Sequence, residues 1–490
     1  AGNHPLHQRV TRAARFAALV LLILPLLAPD EGHAEAARPN IVLVMCDDLG
    51  WADLKSFNPT AQPLTPSLNA MADAGMKFSR FYAAAPVCSP TRGSCLTGRH
   101  PSRYGIPTAN AGHMLAEEVL LPELLRETGY VTGHFGKWHL GTLTFSLKDS
   151  NRGKPGDRTH FSPPWEHGYN RVFATEAKVP TFDAMWSPAK HDGKTWEPVS
   201  DRSTAINYGT RYWNERGIEV TDHLDGDDSR VIMDRAIPFI QSAAEAGKPF
   251  FTTIWFHAPH LPVVAGSPHT NHYDGASLYE RNYFGCITAL DEQIGRLRET
   301  LRNLHVADNT LIWFCSDNGP EGQATSAPGD AHPFRGRKRS LYEGGVRVPG
   351  IVEWPAVVPA GLSTDIIAVT SDFLPTILDA LDSKMPDERP LDGVSLMPSL
   401  RGDIDHERSQ ALGFQFGQQA AMQKDDWKIY TGDRGAHWEL YNLQKDPGET
   451  HDLSGTAPER KQDLIAAFMT WQKSCKHSNH GADYVSSKTR

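Results

Sequence analysis

The chain has 490 residues, which is enough to form one large α/β domain or two smaller domains. Its composition is that of an ordinary globular protein, and its formal net charge at pH 7 is −9. This acidic balance argues against binding to nucleic acid, or to a polyanion along a broad surface, so an anionic ligand would need a local group of basic residues.

The first 36 residues have the pattern of an export signal. Three arginines precede an apolar run over residues 16–28, and the small residues Ala34 and Ala36 follow it. The alternative is a membrane anchor, but the run is much shorter than the roughly 20 residues that a spanning helix needs. We therefore expect residues 1–36 to direct export to the periplasm or the extracellular space, without a stable membrane partner.

Four short apolar runs, each followed by polar residues, predict buried strands. They are "NIVLVM" (40–45), "YVTGHF" (130–135), "PFFTTIWF" (249–256) and "NTLIWF" (309–314). Helical patterns lie between them, over residues 65–75, 116–128, 228–246 and 277–304. Runs this apolar fit strands buried on both faces of a parallel sheet, and strands that alternate with helices indicate an α/β fold.

Two regions depart from this alternation. Residues 150–225 are rich in Pro, Gly and aromatic residues, and we interpret them as a long insertion over the edge of the sheet. Its aromatic side chains would either stack on sugar rings or simply pack; they are Trp165, Trp186, Trp196, Tyr212 and Trp213.

Beyond residue 400, alternating segments predict an antiparallel sheet, followed by a helix over residues 457–474. We therefore expect a main domain at 37–400 and an α+β subdomain at 401–490.

Oxygen-bearing side chains follow two of the predicted strands. Asp47 and Asp48 follow the first strand, and Asp317 and Asn318 follow the last. Because ligands bind at the carboxyl ends of strands in such sheets, these side chains should meet at one edge. Adjacent carboxylates are often no more than a solvated turn, but two such strand ends together favour a hard divalent cation, Ca²⁺ or Mg²⁺.

The stretch "PVCSPTRGSCLTGR" (86–99) holds two of the six cysteines. An early proline and a late glycine predict a short helix that starts just after Cys88. The positive end of that helix, with Arg92 one turn on, suits an activated thiol nucleophile facing an anion. The alternative is a buried structural cysteine, which is our interpretation of Cys95. Disulfides are possible, but no CxxC pair or zinc spacing is present.

These residues resemble the type I sulfatase family. "CSPTR" matches its Cys-x-Pro-Ser/Thr-Arg core, and "GYVTGHFGKWHLG" is similar to its second signature. Further similar blocks follow in the family's order: "HAPHLP", "SDNGP", "FRGRKRSLYEGGVRVP" and "WELYNLQKDPGETHDL". The likeness covers residues 38–470, and the departures at Thr91, Cys95 and Phe135 remove no chemical group.

The resemblance implies a fold, a modification and a metal. The fold is alkaline phosphatase-like, with a large, mostly parallel mixed sheet between helices and a smaller C-terminal α+β subdomain; residues 37–400 would be catalytic. Cys88 would be oxidised to Cα-formylglycine by a formylglycine-generating or anaerobic sulfatase-maturing enzyme. The metal would be Ca²⁺ rather than Mg²⁺, with the ligands Asp47, Asp48, Cys88, Asp317 and Asn318.

The family mechanism also implies roles for the catalytic set, which is Cys88, Arg92, Lys137, His139, His260 and Lys338. One hydroxyl of the hydrated aldehyde would attack sulfur. Lys137, His260 and Lys338 would bind the sulfate, and either His260 or Lys338 would protonate the leaving alcohol. His139 would take a proton from the second hydroxyl and release sulfate, while Arg92 orients the formylglycine.

We expect the substrate to be a sulfated saccharide, bound as a chain end or a short oligosaccharide because the protein is acidic. Two alternatives stay open. One is a phosphonate monoester or phosphodiester hydrolase with the same fold and nucleophile, and the other is a non-catalytic glycan-binding protein in which Cys88 is unmodified. His257 fits a supporting role, and the three arginines around Lys338 are either structural or a local basic site.

Overall fold

The computed structural model of the protein describes residues 38–484, so the predicted export signal lies outside the described residues. The strands are β1 (Asn40–Cys46), β2 (Met76–Tyr82), β3 (Val131–Lys137), β4 (Arg171–Thr175), β5 (Trp186–Pro188), β6 (Ala205–Asn207), β7 (Tyr212–Asn214), β8 (Glu219–Val220), β9 (Phe250–Trp255), β10 (Thr310–Ser316), β11 (Arg347–Glu353), β12 (Leu362–Thr364), β13 (Ala368–Val369), β14 (Leu412–Phe416), β15 (Gln419–Lys424), β16 (Trp427–Thr431) and β17 (Glu439–Asn442). The helices are α1 (Pro66–Ala74), α2 (Cys88–Thr97), α3 (Leu121–Glu127), α4 (Asp228–Glu245), α5 (Ser267–Thr270), α6 (Leu278–Asn303), α7 (Glu343–Val346), α8 (Phe373–Ala380), α9 (Met397–Leu400) and α10 (Pro458–Asn479). Within residues 38–484, none of these helices combines the length and the apolar character needed to cross a bilayer.

One large mixed sheet organises the molecule. Its strand order is β12-β2-β11-β10-β1-β9-β3-β4-β7-β8, with β13 also paired to β2. The central strands β10, β1, β9, β3 and β4 are all parallel to their neighbours within this group, and antiparallel strands lie on both sides of them. The four apolar runs are β1, β3, β9 and β10, so the predicted fold class is confirmed.

The central strands are buried on both faces. On β1, Ile41 and Leu43 pack into one apolar layer, and Val42 and Val44 pack into the other. The first layer includes residues of α2, α3 and α8, and the second includes residues of α1, α4 and α6. Because successive strand residues point to opposite faces, helices on both sides require the unbroken apolar runs seen in the sequence.

The C-terminal region forms the predicted antiparallel sheet, in the order β14-β15-β16-β17. One of its faces packs on the main body, where Phe414 and Tyr441 meet Leu341. The other face packs on α10, where Ile429 meets Phe468. The two-faced packing explains why these short strands carry apolar residues at alternating positions. The division at residue 400 stays a prediction.

Residues 150–225 differ from the expected insertion. Part of this segment forms β4, β7 and β8, which extend the large sheet at its edge. Three of the five aromatic residues named above, Trp196, Tyr212 and Trp213, are buried and pack inside the protein, whereas Trp165 and Trp186 are half-buried. Tyr212 stacks on Phe173 with 4.0 Å between ring centroids, and Trp213 Nε1 donates a hydrogen bond to Asp149 Oδ2 at 2.8 Å.

Candidate active site

The metal ligands predicted from the sequence come together at the carboxyl edge of the sheet. Strands β1 and β10 are parallel, with Cys46 opposite Ser316, so the residues after each strand lie side by side. The Asp48 amide donates a hydrogen bond to Asp317 Oδ1 at 3.2 Å, and Asn318 Nδ2 donates to Asp48 Oδ1 at 2.7 Å. Asp48 has a φ of +66°, a strained conformation for a residue other than glycine.

Cys88 is the first residue of α2 and is 2% exposed. Thr91 fixes the start of this helix, because its hydroxyl donates to the Ala85 carbonyl at 2.9 Å and also contacts the Val87 carbonyl. Gly98, with a φ of +68°, ends the helix in the left-handed conformation that glycine favours. Burial raises the pKa of the Cys88 thiol, so the helix terminus does not produce the activated thiolate that the sequence suggested.

Arg92 connects this helix to the cluster of carboxylates. It is fully buried; its Nε and Nη2 donate to Asp317 Oδ2 at 3.1 and 2.7 Å, and its Nη1 donates to the Lys137 carbonyl at 3.1 Å. The guanidinium also lies 5.3 Å from the centroid of the Trp255 ring. Arg92 therefore ties α2 to the ends of β3 and β10.

Two lysines pair with the two leading carboxylates. Lys137 Nζ is 2.6 Å from Asp47 Oδ2, and Lys338 Nζ is 2.7 Å from Asp48 Oδ1. Burial alone would raise the pKa of Asp47, but the charges of Lys137, His260, Arg92 and Lys338 together outweigh burial and hold that pKa well below its usual value. Burial, with a contribution from Asp47, raises the pKa of Asp317 to about 7. The cluster thus carries several carboxylates whose charges repel one another.

Three histidines lie near this edge and have different environments. Both ring nitrogens of His139 are buried without a hydrogen-bond partner, and burial together with Lys137 lowers its pKa well below the usual value. His260 Nδ1 donates to the Leu261 carbonyl, and its Nε2 is 3.6 Å from Asp48 Oδ2. His257 is held by Asp228 and by a threonine on β4, which fits the supporting role predicted for it.

The residues present fit a divalent cation. Oδ1 of Asp47 and Oδ1 of Asn318 are both buried and accept no hydrogen bond. Ligand atoms of Asp47, Cys88 and Asp317 lie within 4.8 Å of one another, as do those of Asp47, Asp48 and His260. Unsatisfied buried oxygens beside repelling carboxylates are stabilised by a hard cation, which prefers oxygen ligands.

A cavity of about 460 Å³ opens onto these residues and is lined by Cys88, Lys137, His139, His260 and Lys338. This volume is in the usual range for a small-molecule site. Other lining residues are Thr108, Asn110, Asn151, Lys178, Glu321, Arg339 and Phe416. The structure therefore brings Cys88 and the catalytic lysines and histidines to one cleft, and Arg92 and the carboxylates of Asp47 and Asp317 are buried next to them.

Lys178, which follows β4 at the same edge of the sheet, was not predicted from the sequence. The run "RVFAT" is followed by Glu176, Ala177 and Lys178. The rule that polar residues after each buried strand meet at one edge of the sheet, applied to the other four strands, would therefore have found Lys178. The arginines around Lys338 divide into two groups. Arg335 and Arg337 bond to nearby backbone carbonyls, whereas Arg339 lines the cleft.

All six cysteines lie within the described residues, and all are buried and free. Cys95 packs in the apolar layer beneath α2, where its thiol contacts the Thr91 carbonyl at 3.4 Å. The disulfides that export would permit are therefore not formed, and Cys88 is the cysteine that lines the cleft.

Comparisons with known proteins agree with this geometry. A family model described as "Sulfatase" matches residues 39–383, and one described as "N-sulphoglucosamine sulphohydrolase, C-terminal" matches residues 334–470. The chain is 30% identical to arylsulfatase G of Rattus norvegicus, over 88% of this chain and 85% of that protein. It is 34% identical to N-acetylgalactosamine-6-sulfatase of Homo sapiens, over 74% of this chain and 66% of that protein.

Solved structures show the same fold. Ps i-CgsB in complex with k-i-k-neocarrahexaose superposes with a TM-score of 0.75 and 25% identity, over 92% of this chain and 98% of that one. The phosphonate monoester hydrolase of Agrobacterium radiobacter superposes with a TM-score of 0.62 and 19% identity, over 91% of this chain and 96% of that one, which shows the fold alone. The family match, the fold and the cleft agree, and this chain belongs to the sulfatase family of enzymes.

Proposed function

We propose that this protein is an exported, calcium-dependent sulfatase that removes sulfate from a saccharide with a formylglycine made from Cys88. The observation that supports this most directly is the position of Cys88. Its side chain lies at the start of α2, within 4.8 Å of Asp47 and Asp317 carboxylate oxygens, and it lines a cleft with two lysines and two histidines. A raised pKa makes the unmodified thiol a poor nucleophile, whereas a hydrated aldehyde supplies hydroxyl groups at the same place.

The charged residues around Cys88 suit a sulfate group. A Ca²⁺ ion held by Asp47, Asp48, Asp317 and Asn318 would polarise the sulfate and favour ionisation of a hydroxyl on residue 88. Lys137 and Lys338 are positioned by their carboxylate partners, so their ammonium groups can neutralise negative charge that develops on sulfate oxygens.

The two histidines suit the proton transfers. His139 is neutral and has free ring nitrogens, so it can accept a proton from the second hydroxyl of residue 88. His260 uses Nδ1–H to bond Leu261, which leaves Nε2 facing the cleft. A bound anion favours the protonated imidazole, from which Nε2 donates to the leaving oxygen; the alternative donor is the ammonium group of Lys338.

The modification has to precede folding. Cys88, Pro90 and Arg92 are all buried in the folded protein, and Arg92 is fully enclosed. A maturing enzyme that recognises the proline and the arginine therefore has to meet this stretch as an unfolded chain, during or soon after synthesis. Export follows from the pattern of residues 1–36 and is part of the same proposal.

Relative rates on two aryl esters test the proposed reaction. The mature protein is assayed with 4-nitrophenyl sulfate and with bis(4-nitrophenyl) phosphate, and we expect kcat/KM to be larger for the sulfate ester. A preference for the phosphodiester would instead identify a phosphodiester hydrolase on this fold. Binding of sulfated saccharides without turnover of either ester would identify a non-catalytic glycan-binding protein.

A further inference from the structure

Lys178 is a cation in the cleft with no hydrogen-bond or ion-pair partner in the described part of the chain. It lies three residues beyond β4 and lines the same cavity as Cys88 and His260. Among residues 38–484, no hydrogen bond or ion pair to its ammonium group is formed. Burial lowers the pKa of Lys178, and the nearby charges of Lys137 and Lys338 lower it further, so its charge is held at a cost.

The other cations at this edge of the sheet are already matched by carboxylates. The closest N–O distances are 2.6 Å for Lys137–Asp47, 2.7 Å for Lys338–Asp48, 2.7 Å for Arg92–Asp317 and 2.6 Å for Arg339–Glu321. Arg152, behind the cleft wall, is matched by Glu176 at 3.2 Å. With these pairs formed, the ammonium group of Lys178 has no salt-bridge partner within residues 38–484, and the nearby charges of Asp48 and Asp47 offset only part of the lowering of its pKa.

The scissile sulfate does not account for this charge. A sulfate monoester carries one negative charge, and a divalent cation at Asp47, Asp48 and Asp317 would by itself exceed it. Resting on the proposed function, we infer that Lys178 binds a second anionic substituent of the saccharide, either another sulfate or a carboxylate. The substrate class is then a saccharide with at least two anionic groups close together, and Lys178 determines specificity for it.

Binding measurements test this inference. In a Cys88→Ala background, which blocks turnover, Kd is measured by calorimetry for three disaccharides with the same scissile sulfate. One has no other charge, one has a second sulfate and one has a uronic acid carboxylate. We expect at least one dianionic ligand to bind about tenfold more tightly than the monoanionic one, as a charge-assisted contact of about 1.4 kcal/mol predicts.

Substitutions assign that preference to Lys178. The ratio of the Kd for the monoanionic ligand to the Kd for the dianionic ligand measures the preference. Lys178→Ala should reduce this Kd ratio to near one, and Lys178→Arg should keep most of it because the charge is retained. Lys190→Ala removes an exposed lysine from the same segment and should leave the ratio unchanged. The ligand whose advantage is lost in Lys178→Ala identifies the second group as sulfate or carboxylate.

Three results would overturn the inference: equal affinity for all three ligands, a ratio that survives Lys178→Ala, or equal weakening of all three ligands by Lys178→Ala. If the Cys88→Ala protein folds poorly, a second measurement is the ratio of kcat/KM between dianionic and monoanionic substrates, taken in the enzyme that retains Cys88. Hydrolysis of 4-nitrophenyl sulfate without any dianion preference rejects this inference alone, whereas no hydrolysis of any sulfate ester rejects the proposed function.

Discussion

Replacing Arg92 tests how the site is held together. Arg92→Ala removes two hydrogen bonds to Asp317 and one to the Lys137 carbonyl, all fully buried. It leaves a buried carboxylate without its main counter-charge, a change that costs about 3–5 kcal/mol. Arg92→Lys keeps the charge but not the fork of donors, and an unpaired buried carbonyl costs about 1–3 kcal/mol.

Urea unfolding followed by tryptophan fluorescence measures these losses, with EDTA present so that no cation replaces the missing charge. We expect stability to fall in the order wild type, Arg92→Lys, Arg92→Ala. The matched control is Arg171→Ala, because Arg171 pairs with Glu215 at 2.6 Å but is 60% exposed, and such pairs contribute about 0–1 kcal/mol. If Arg92→Ala costs no more than this control, Arg92 does not hold the site in the way described.

Three further predictions follow from other parts of the structure. Ca²⁺ at 100 times its Kd should stabilise the protein by about 2.7 kcal/mol, seen as a higher thermal midpoint, and Asp47→Asn should abolish the effect because it removes a ligand. Burial is the main cause that lowers the pKa of His100 to about 4. As the pH falls, this histidine therefore becomes protonated in the unfolded chain at a higher pH than in the folded protein. Stability should therefore fall by about 3 kcal/mol between pH 6.5 and 4, and His100→Gln should make that slope shallower. Gly319→Ala would place a Cβ 1.9 Å from the Gly344 carbonyl oxygen and should cost about 1–3 kcal/mol in urea unfolding.

Each of these predictions has a control and a contradicting result. Asp73 is an exposed aspartate on α1, and if Asp73→Asn abolishes the Ca²⁺ effect as fully as Asp47→Asn does, the ion is bound elsewhere. An unchanged pH slope in His100→Gln would show that this histidine is not held neutral by folding. Gly455→Ala adds a Cβ in open space, so equal losses in both glycine variants would reject the steric reason given for Gly319.

The position of the site could be predicted because one physical rule connects sequence and structure there. Apolar runs buried on both faces have to be parallel central strands, and the polar residues that end them have to share one edge. Asp47 and Asp317 follow adjacent strands and meet in the structure, as this rule requires. The helix at Cys88 was predicted for a similarly local reason, its early proline and late glycine.

Other features depend on contacts that a single sequence does not reveal. Lys137 pairs with Asp47 and Lys338 pairs with Asp48. These pairings depend on how segments that are distant in the sequence approach each other in three dimensions. The aromatic residues of the insertion were ambiguous because stacking on sugars and packing inside the protein call for the same side chains. Trp213 is buried against Asp149, so packing accounts for it.

The mass of the peptide that contains Cys88 shows whether this residue is converted to formylglycine. Trypsin cleaves after Arg80 and Arg92, so the peptide 81–92 from protein made in its native host reports on a single cysteine. We expect a mass about 18 Da below that of the cysteine form, the mark of formylglycine. A peptide with an intact thiol, in protein that still hydrolyses sulfate esters, would contradict it.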